Sequence, residues 1–508
     1  MTIFGMKWRS TLPGADNGPP STKDTSSTED AARHSSYVLE VISLGVTYEK
    51  YRQGKLWEAL EKGSAQTSIR EPDPMKYPWS DDAKDGMEGG RANDAMENGG
   101  RMLPMYWGTP TFSADSSVLR DRATDLSPPT VGGDPTGSGM AFQLFIAAGW
   151  EMSERPDRLL QRIFDFFDKY PDVPYVVLSA DEGMYFRNLY RPRGTPPLVK
   201  NGNYIPEIPT SSVFVVLARR ERVDPLRPFS FADADEEKML APELNKKGFA
   251  RRLYLDWLAK TESVPTRDGT PGRNLTTAEW LQLTSEFSKR QDIYPKTISL
   301  LHPFSGGPSS DFKPTPWFPI PWNKAQLEAF DRLPTLGFLH RPVFVPMVDK
   351  DGHALTRRDE REAALAAGWQ QALQTLPESE RKAAPARVIA ATGGNIDQTM
   401  LLTSVLNQWT HQGGPELDAN KPTQWINTDA RLGNTGAATW FMQMAIGVMG
   451  SYQAGGASAA INMRDPNEAS IVFVTPPSEQ KRKTQYHAEG GDVWHNVVGP
   501  NVDPDNYQ

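Results

Sequence analysis

"ARLGNTGAATWFMQMAIGVMGSY", Ala430 to Tyr452, decides the fold. A polar turn, Gly433-Asn434-Thr435-Gly436, stands directly before a segment that is apolar on nearly every side. A surface helix carries one apolar stripe, so an all-round apolar helix predicts burial on every face. The stretch does not read as a membrane span. Gln443, Gly447, Gly450, Ser451 and Gln453 interrupt it, and the chain contains no unbroken apolar run of about 18 residues. The expectation is a buried helix sandwiched between sheets. Gly433 and Gly436 would permit close backbone approach, and Asn434 or Thr435 would cap the helix.

The flanking segments supply those sheets. "ARVIAATGGNIDQTMLLTSVLNQW", Ala386 to Trp409, reads as strand, glycine turn and helix. "ASAAINM" and "SIVFVTP" are strands joined by Arg464 to Glu468, and an alanine-rich helix with Leu365, Trp369 and Leu373 inward follows a Lys350-Asp351-Gly352 turn. Toward the N-terminus, "YVLEVISLGV" is a buried strand, and a helix carrying Tyr51, Leu56, Trp57 and Leu60 follows it. Leu159, Leu160, Ile163, Phe164, Phe167 and Tyr170 stripe a second helix, with strands at Tyr175–Ser179 and Val213–Ala218 beyond. Ala65 to Gly139 carries little periodicity and reads as a long loop. About Ala232 to Pro334 looks helical and peripheral, with a capping box at Thr276-Thr277-Ala278-Glu279. In "KPTPWFPIPWNKAQ" proline forbids regular structure, so Trp317, Phe318 and Trp322 are either wedged into the core or offered to a partner. The domain reading is a disordered lead at 1–36, an N-terminal α/β half at 37–231, an insertion at 232–334, a C-terminal half at 335–477 and a polar tail at 478–508.

A chain of 508 residues exceeds the size at which one hydrophobic core stops growing. Hydrophobic residues make up 38% and charged residues 23%, which supports globular folding. The net charge of -8 gives no basic footprint, so nucleic acid is excluded as an expected partner. Cysteine is absent, which removes disulfides, thiolate metal sites and thiol nucleophiles, and fits a cytoplasmic protein. The seven histidines lack metal-type spacing, and "ADADEE" at Ala232–Glu237 lacks the glycine and distal glutamate of a calcium loop, so no metal is expected. Gly393-Gly394 lacks the spacing of a dinucleotide fingerprint or a phosphate loop, and no cofactor is expected. No Gly-x-Ser-x-Gly elbow seats a hydrolytic serine.

"IAATGGN" and "GNTGAATWF" resemble two turns of the thiolase-like fold, in particular those of the type III ketoacyl synthases. The resemblance implies a two-half α/β architecture with mixed sheets and buried central helices, here with a peripheral helical insertion. Carried over by position, Asn434 matches that family's catalytic Asn and Asn395 the Asn of its first turn, while Thr392 stands where its catalytic His would be. The nucleophilic cysteine has no counterpart. Thr392, Asn395 and Asn434 are therefore expected to line a vestigial pocket: an amide is no base near neutral pH, and a hydroxyl needs an activating partner.

A longer resemblance joins "YVLEVISLGVTYEKYRQGKLWEAL", "RIFDFFDKYPDVPYVVLSADEG", "SSVFVVLARRERVDPLRPF" and "RLGNTGAATWFMQMAIGVMGSYQAGGASAAINMRDPNEASIVFVTPP". Together they resemble the bacterial type VI lipase adaptor family. The resemblance implies a non-catalytic, cytoplasmic adaptor that binds a phospholipase effector and loads it onto the VgrG spike protein, with a homodimer possible. On that reading Trp317, Phe318 and Trp322 are the candidate partner contacts. The alternative is an acyl-transfer or hydrolytic enzyme with an unrecognised nucleophile, and a ligand-binding pseudoenzyme is a third reading.

Overall fold

The computed structural model describes residues 37–79, 88–100, 103, 108–115, 130–134, 143–152, 155–189, 191, 194–232, 249–265, 272–290, 308–315, 317–485 and 493. The expected lead at 1–36, most of the "ADADEE" segment and most of the polar tail lie outside them.

The N-terminal half begins with β1 (Leu39–Tyr48), α1 (Gln53–Lys62), α2 (Gly90–Gly100) and β2 (Thr109–Asp115). It continues through β3 (Thr130–Asp134), β4 (Gln143–Met152), α3 (Pro156–Lys169), β5 (Tyr175–Glu182) and β6 (Ser211–Ala218). Helices α4 (Phe249–Ser263), α5 (Thr277–Ser288) and α6 (Lys324–Arg332) follow in the intervening segment. The C-terminal half comprises β7 (Gly337–Leu339), β8 (Val343–Pro346), α7 (Arg358–Leu373), β9 (Arg387–Ala391), α8 (Ile396–His411) and β10 (Trp425–Asn427). It closes with α9 (Thr439–Ala454), β11 (Ser458–Asn462) and β12 (Glu468–Thr475).

The two halves repeat one topology. In the first, the strands lie side by side as β4-β2-β5-β6-β1, and in the second as β10-β9-β11-β12-β8. Numbering these five strands in chain order within each half, with β3 and β7 set aside as additions, gives third-second-fourth-fifth-first both times. β2 runs parallel to β4 and β5, and β9 runs parallel to β10 and β11. The fifth strand, β6 or β12, is antiparallel to its neighbours. This is the mixed-sheet, two-half thiolase-like α/β fold that the two turns suggested. β1 pairs antiparallel with β7 and joins the halves. Flanked by strands on both edges and covered on both faces, β1 has an almost unbroken run of buried residues from Leu39 to Tyr48, as a doubly covered strand requires.

Helix α9 packs against strands of both halves, and α3 contacts α9. Every residue of α9 from Thr439 to Tyr452 is buried. Its polar interruptions are structural. The fully buried Gln443 donates from Nε2 to the carbonyls of Ile389 (2.8 Å) and Ile461 (2.9 Å), tying α9 to β9 and β11. Gly450 lets the Trp57 ring lie against the helix, where a Cβ would come within 2.6 Å. By contrast α3 buries one stripe, Leu159, Leu160, Ile163, Phe164 and Phe167, and leaves its other face open.

Two expectations are corrected. The segment read as a long loop, Ala65–Gly139, contains α2, β2 and β3. Helix α2 packs through small residues rather than an apolar stripe: a Cβ on Gly45 of β1 would stand 1.8 Å from the Ala95 carbonyl. Close backbone approach of this kind leaves no hydrophobic periodicity to read. The intervening segment is also more than a helical periphery, because Leu275–Thr276 extends the sheet by pairing with β3. The capping box at Thr276 and Glu279 is present in both directions.

Candidate functional site

Of the residues expected to line a pocket, Thr392 and Asn395 follow the end of β9, and Asn434 lies in the turn before α9. β9 ends at Ala391, and the chain reverses through Gly393 and Gly394, both in the left-handed region with φ +67 and +71. The backbone N–H groups of Thr392 and Gly393 both donate to Asp429 Oδ2, at 2.6 and 2.8 Å. Paired N–H groups are an anion nest, and in this protein the chain's own carboxylate occupies it. The buried Thr392 hydroxyl meets another hydroxyl, Thr399 Oγ1, at 3.3 Å. Neither can act as a base near neutral pH.

The second turn stands beside the first. Gly433 and Gly436 have φ +81 and +47. Asn434 Oδ1 accepts the Gly436 N–H at 3.0 Å and the guanidinium of Arg464, whose Nη1 also donates to Thr439 Oγ1 at 2.6 Å. A Cβ on Gly393 would lie 3.9 Å from Arg464 Cγ, so Arg464 sits between the two turns. Asn434 thus braces its turn and orients a guanidinium. The sequence placed the helix cap at Asn434 or Thr435. The structure corrects this: α9 begins after Ala438 with no side-chain cap, Asn434 accepts a backbone N–H only within its own turn, and Glu182, at the end of β5, accepts the Ala437 N–H through Oε2 at 2.9 Å. Glu182 also takes Arg187 in a two-pronged pair, at 2.9 and 3.0 Å.

Asn395 stands in the first turn with Thr392, donating its N–H to the Thr392 carbonyl at 3.2 Å, while Asn434 is exposed in the second turn and is separated from the first by Arg464. Asn395 is exposed and accepts the N–H groups of Asp397 and Gln398, capping α8. Trp317, Phe318 and Trp322 are inside the core, the other of the two placements weighed for them. Trp317 packs edge-on against Phe166 and Tyr170, and Trp322 packs against Phe318, Phe330 and Tyr175. Proline prevents ladder pairing here, and the rings fill the space over α3 and β5 instead.

Among the described residues, His340, His353 and His411 all lie away from this pocket. His340 is buried beside Thr475, whose Oγ1 is 3.1 Å from its Nε2, at the opposite end of β12. Burial lowers its pKa to about 4, against a smaller opposing effect from the Thr375 carbonyl. Asp349, Asp351 and His353 converge in an exposed turn, but Asp349 Oδ1 already accepts the N–H groups of Asp351 and His353.

The fold is thiolase-like, and its two turns are engaged by the chain's own side chains, the first by Asp429 and the second by Arg464. Residues 37–201 match the model of the type VI lipase adapter protein Tla3, N-terminal, and residues 336–476 match that of the same protein's C-terminal region. The chain belongs to the type VI lipase adapter protein Tla3 family. Among solved structures it is similar to the ishigamide ketosynthase/chain length factor, with 9% identity and TM-score 0.40, covering 87% of this chain and 100% of that one. It is also similar to 3-oxoacyl-[acyl-carrier-protein] synthase III from Aquifex aeolicus VF5, with 10% identity and TM-score 0.31, covering 86% and 99%. Acat5 thiolase from Ascaris suum gives 10% identity and TM-score 0.34, covering 87% and 100%. The fold assignment rests on the duplicated strand order, not on these scores.

Proposed function

We propose that this chain is a non-catalytic adaptor that binds a lipase effector and delivers it to the VgrG spike of a type VI secretion system in the cytoplasm. Membership of a lipase adapter family is the observation that carries the reading. The pocket chemistry supports it. Catalysis of acyl transfer needs a nucleophile, a base that activates it and free donors for the oxyanion. Here Thr392 meets only a hydroxyl, the paired N–H groups are taken by Asp429, and Asn434 is engaged by Arg464.

Among the described residues, no helix is long and apolar enough to cross a membrane. A homodimer would have to avoid the outer edge of β4, which pairs with β3 of the same chain. With Trp317, Phe318 and Trp322 packed inward, the partner surface lies elsewhere or requires that segment to move. Co-purification tests the adaptor role: the chain co-expressed with a type VI lipase effector and a VgrG spike should retain the lipase through size exclusion. Turnover of acyl-thioester or ester substrates by the pure chain, abolished by substitution of Thr392, would replace this reading with an enzyme.

A further inference from the structure

A second buried acidic group stands behind the pocket. Glu88 is fully buried just before α2, and its Oε2 accepts the N–H groups of Tyr185 (2.7 Å) and Phe186 (3.0 Å). Its Oε1 accepts the Thr210 hydroxyl at 3.4 Å. Glu182 is adjacent: a Cβ on Gly183 would lie 2.4 Å from Glu88 Oε2, while Glu182 Oε1 accepts the Gly183 N–H at 3.0 Å. Two buried carboxylates therefore flank one glycine, and the two-pronged Arg187 is committed to Glu182. A buried carboxylate without a paired cation favours its neutral form.

We propose that Glu88 holds a proton at neutral pH and acts as a latch, whose ionisation loosens the contact between Glu182 and the mouth of α9. The proton leaves to water. The new charge then faces Glu182, the side chain that reaches Ala437 and ties one half to the other. Charged groups near Glu88 are Glu182 and Arg187 on the segment from β5, and Arg91 on α2; Glu49, at the end of β1, interacts with Arg91. From the lead-in to β6, Thr210 faces Glu88, and from the turn before α9, Gly436 faces Glu182; neither titrates. Burial pushes the Glu88 carboxyl up to about 8; Phe186 and Tyr185 N–H groups and Arg91 oppose the shift, and Glu182 adds to it.

The direction of the pH effect follows. Unfolded, Glu88 ionises near its ordinary 4.5, and folded near 8, so the unfolded chain loses this proton first as pH rises. The contribution is whole below 4.5 and is lost between there and 8. Urea unfolding of wild type and Glu88→Gln from about pH 5 to about pH 9 tests it, because glutamine mimics the neutral acid. The wild-type unfolding constant should gain a component rising by up to about tenfold per pH unit, absent in the variant. Amide exchange at Ala437, corrected for its intrinsic pH dependence, should accelerate over the same range in wild type only. Parallel pH profiles in the two proteins overturn the latch. Should Glu88→Gln fail to fold, infrared spectroscopy of the wild type decides. A neutral carboxyl band at about pH 7 that disappears by about pH 9 upholds the latch, and its absence at about pH 7 overturns it.

Discussion

The Glu182 carboxylate accepts the backbone N–H of Ala437 at 2.9 Å, across 255 residues of chain. The last residue of β5 in one half thereby serves the entrance of the buried helix in the other. Negative charge at a helix N-terminus is favourable, and Gly436 makes room for it. A Cβ there would stand 1.8 Å from Glu182 Oε2.

Gly436→Ala should therefore destabilise the chain by about 3 kcal/mol, combining positive-φ strain with displacement of the carboxylate. Chemical denaturation measures it. A loss below about 1 kcal/mol would mean that the turn and Glu182 relax freely.

Gln443→Leu removes both amide bonds from α9 to β9 and β11 while keeping similar bulk. The expected loss is about 2 kcal/mol, read by denaturant midpoint, because two buried carbonyls lose a donor. A variant as stable as wild type would show that the amide has no net structural role.

His340 gives an acid limb to stability. Its folded pKa, about 4, is below its ordinary 6.5, so the neutral ring is favoured in the fold. The contribution is present above 6.5 and lost as pH falls toward 4. It amounts to about 3 kcal/mol, and His340→Gln should remove that acid-side loss in pH-dependent unfolding. An unchanged acid limb in the variant would exclude His340 as its source.

Much of this was legible in local pattern. The all-round apolar run from Trp440 predicted a buried helix, and the run in Tyr37–Val46 predicted a buried strand. Helix α2 was hidden because it packs through Gly45, Ala95 and Gly99, which leave no apolar stripe. Thr392 and Asn434 could be singled out from the two turn sequences. Asp429, Arg464 and Glu182 could not be assigned, because their partners are fixed by how strands align in space. The sequence left Trp317, Phe318 and Trp322 open between core and surface, since proline-aromatic alternation has no periodicity to orient a ring.

The core placement of those rings makes its own forecast. Trp322→Ala should cost about 3–5 kcal/mol, read by thermal and chemical unfolding. If the variant stays near wild-type stability and selectively loses partner binding, the segment is a docking surface after all.

The most direct measurement is titration calorimetry of the purified chain with a purified type VI lipase effector. The adaptor account predicts saturable binding with a Kd of about 1 μM or tighter, strong enough to survive delivery to the spike. No heat of binding across several temperatures, with both proteins folded and no complex on size exclusion, would contradict it.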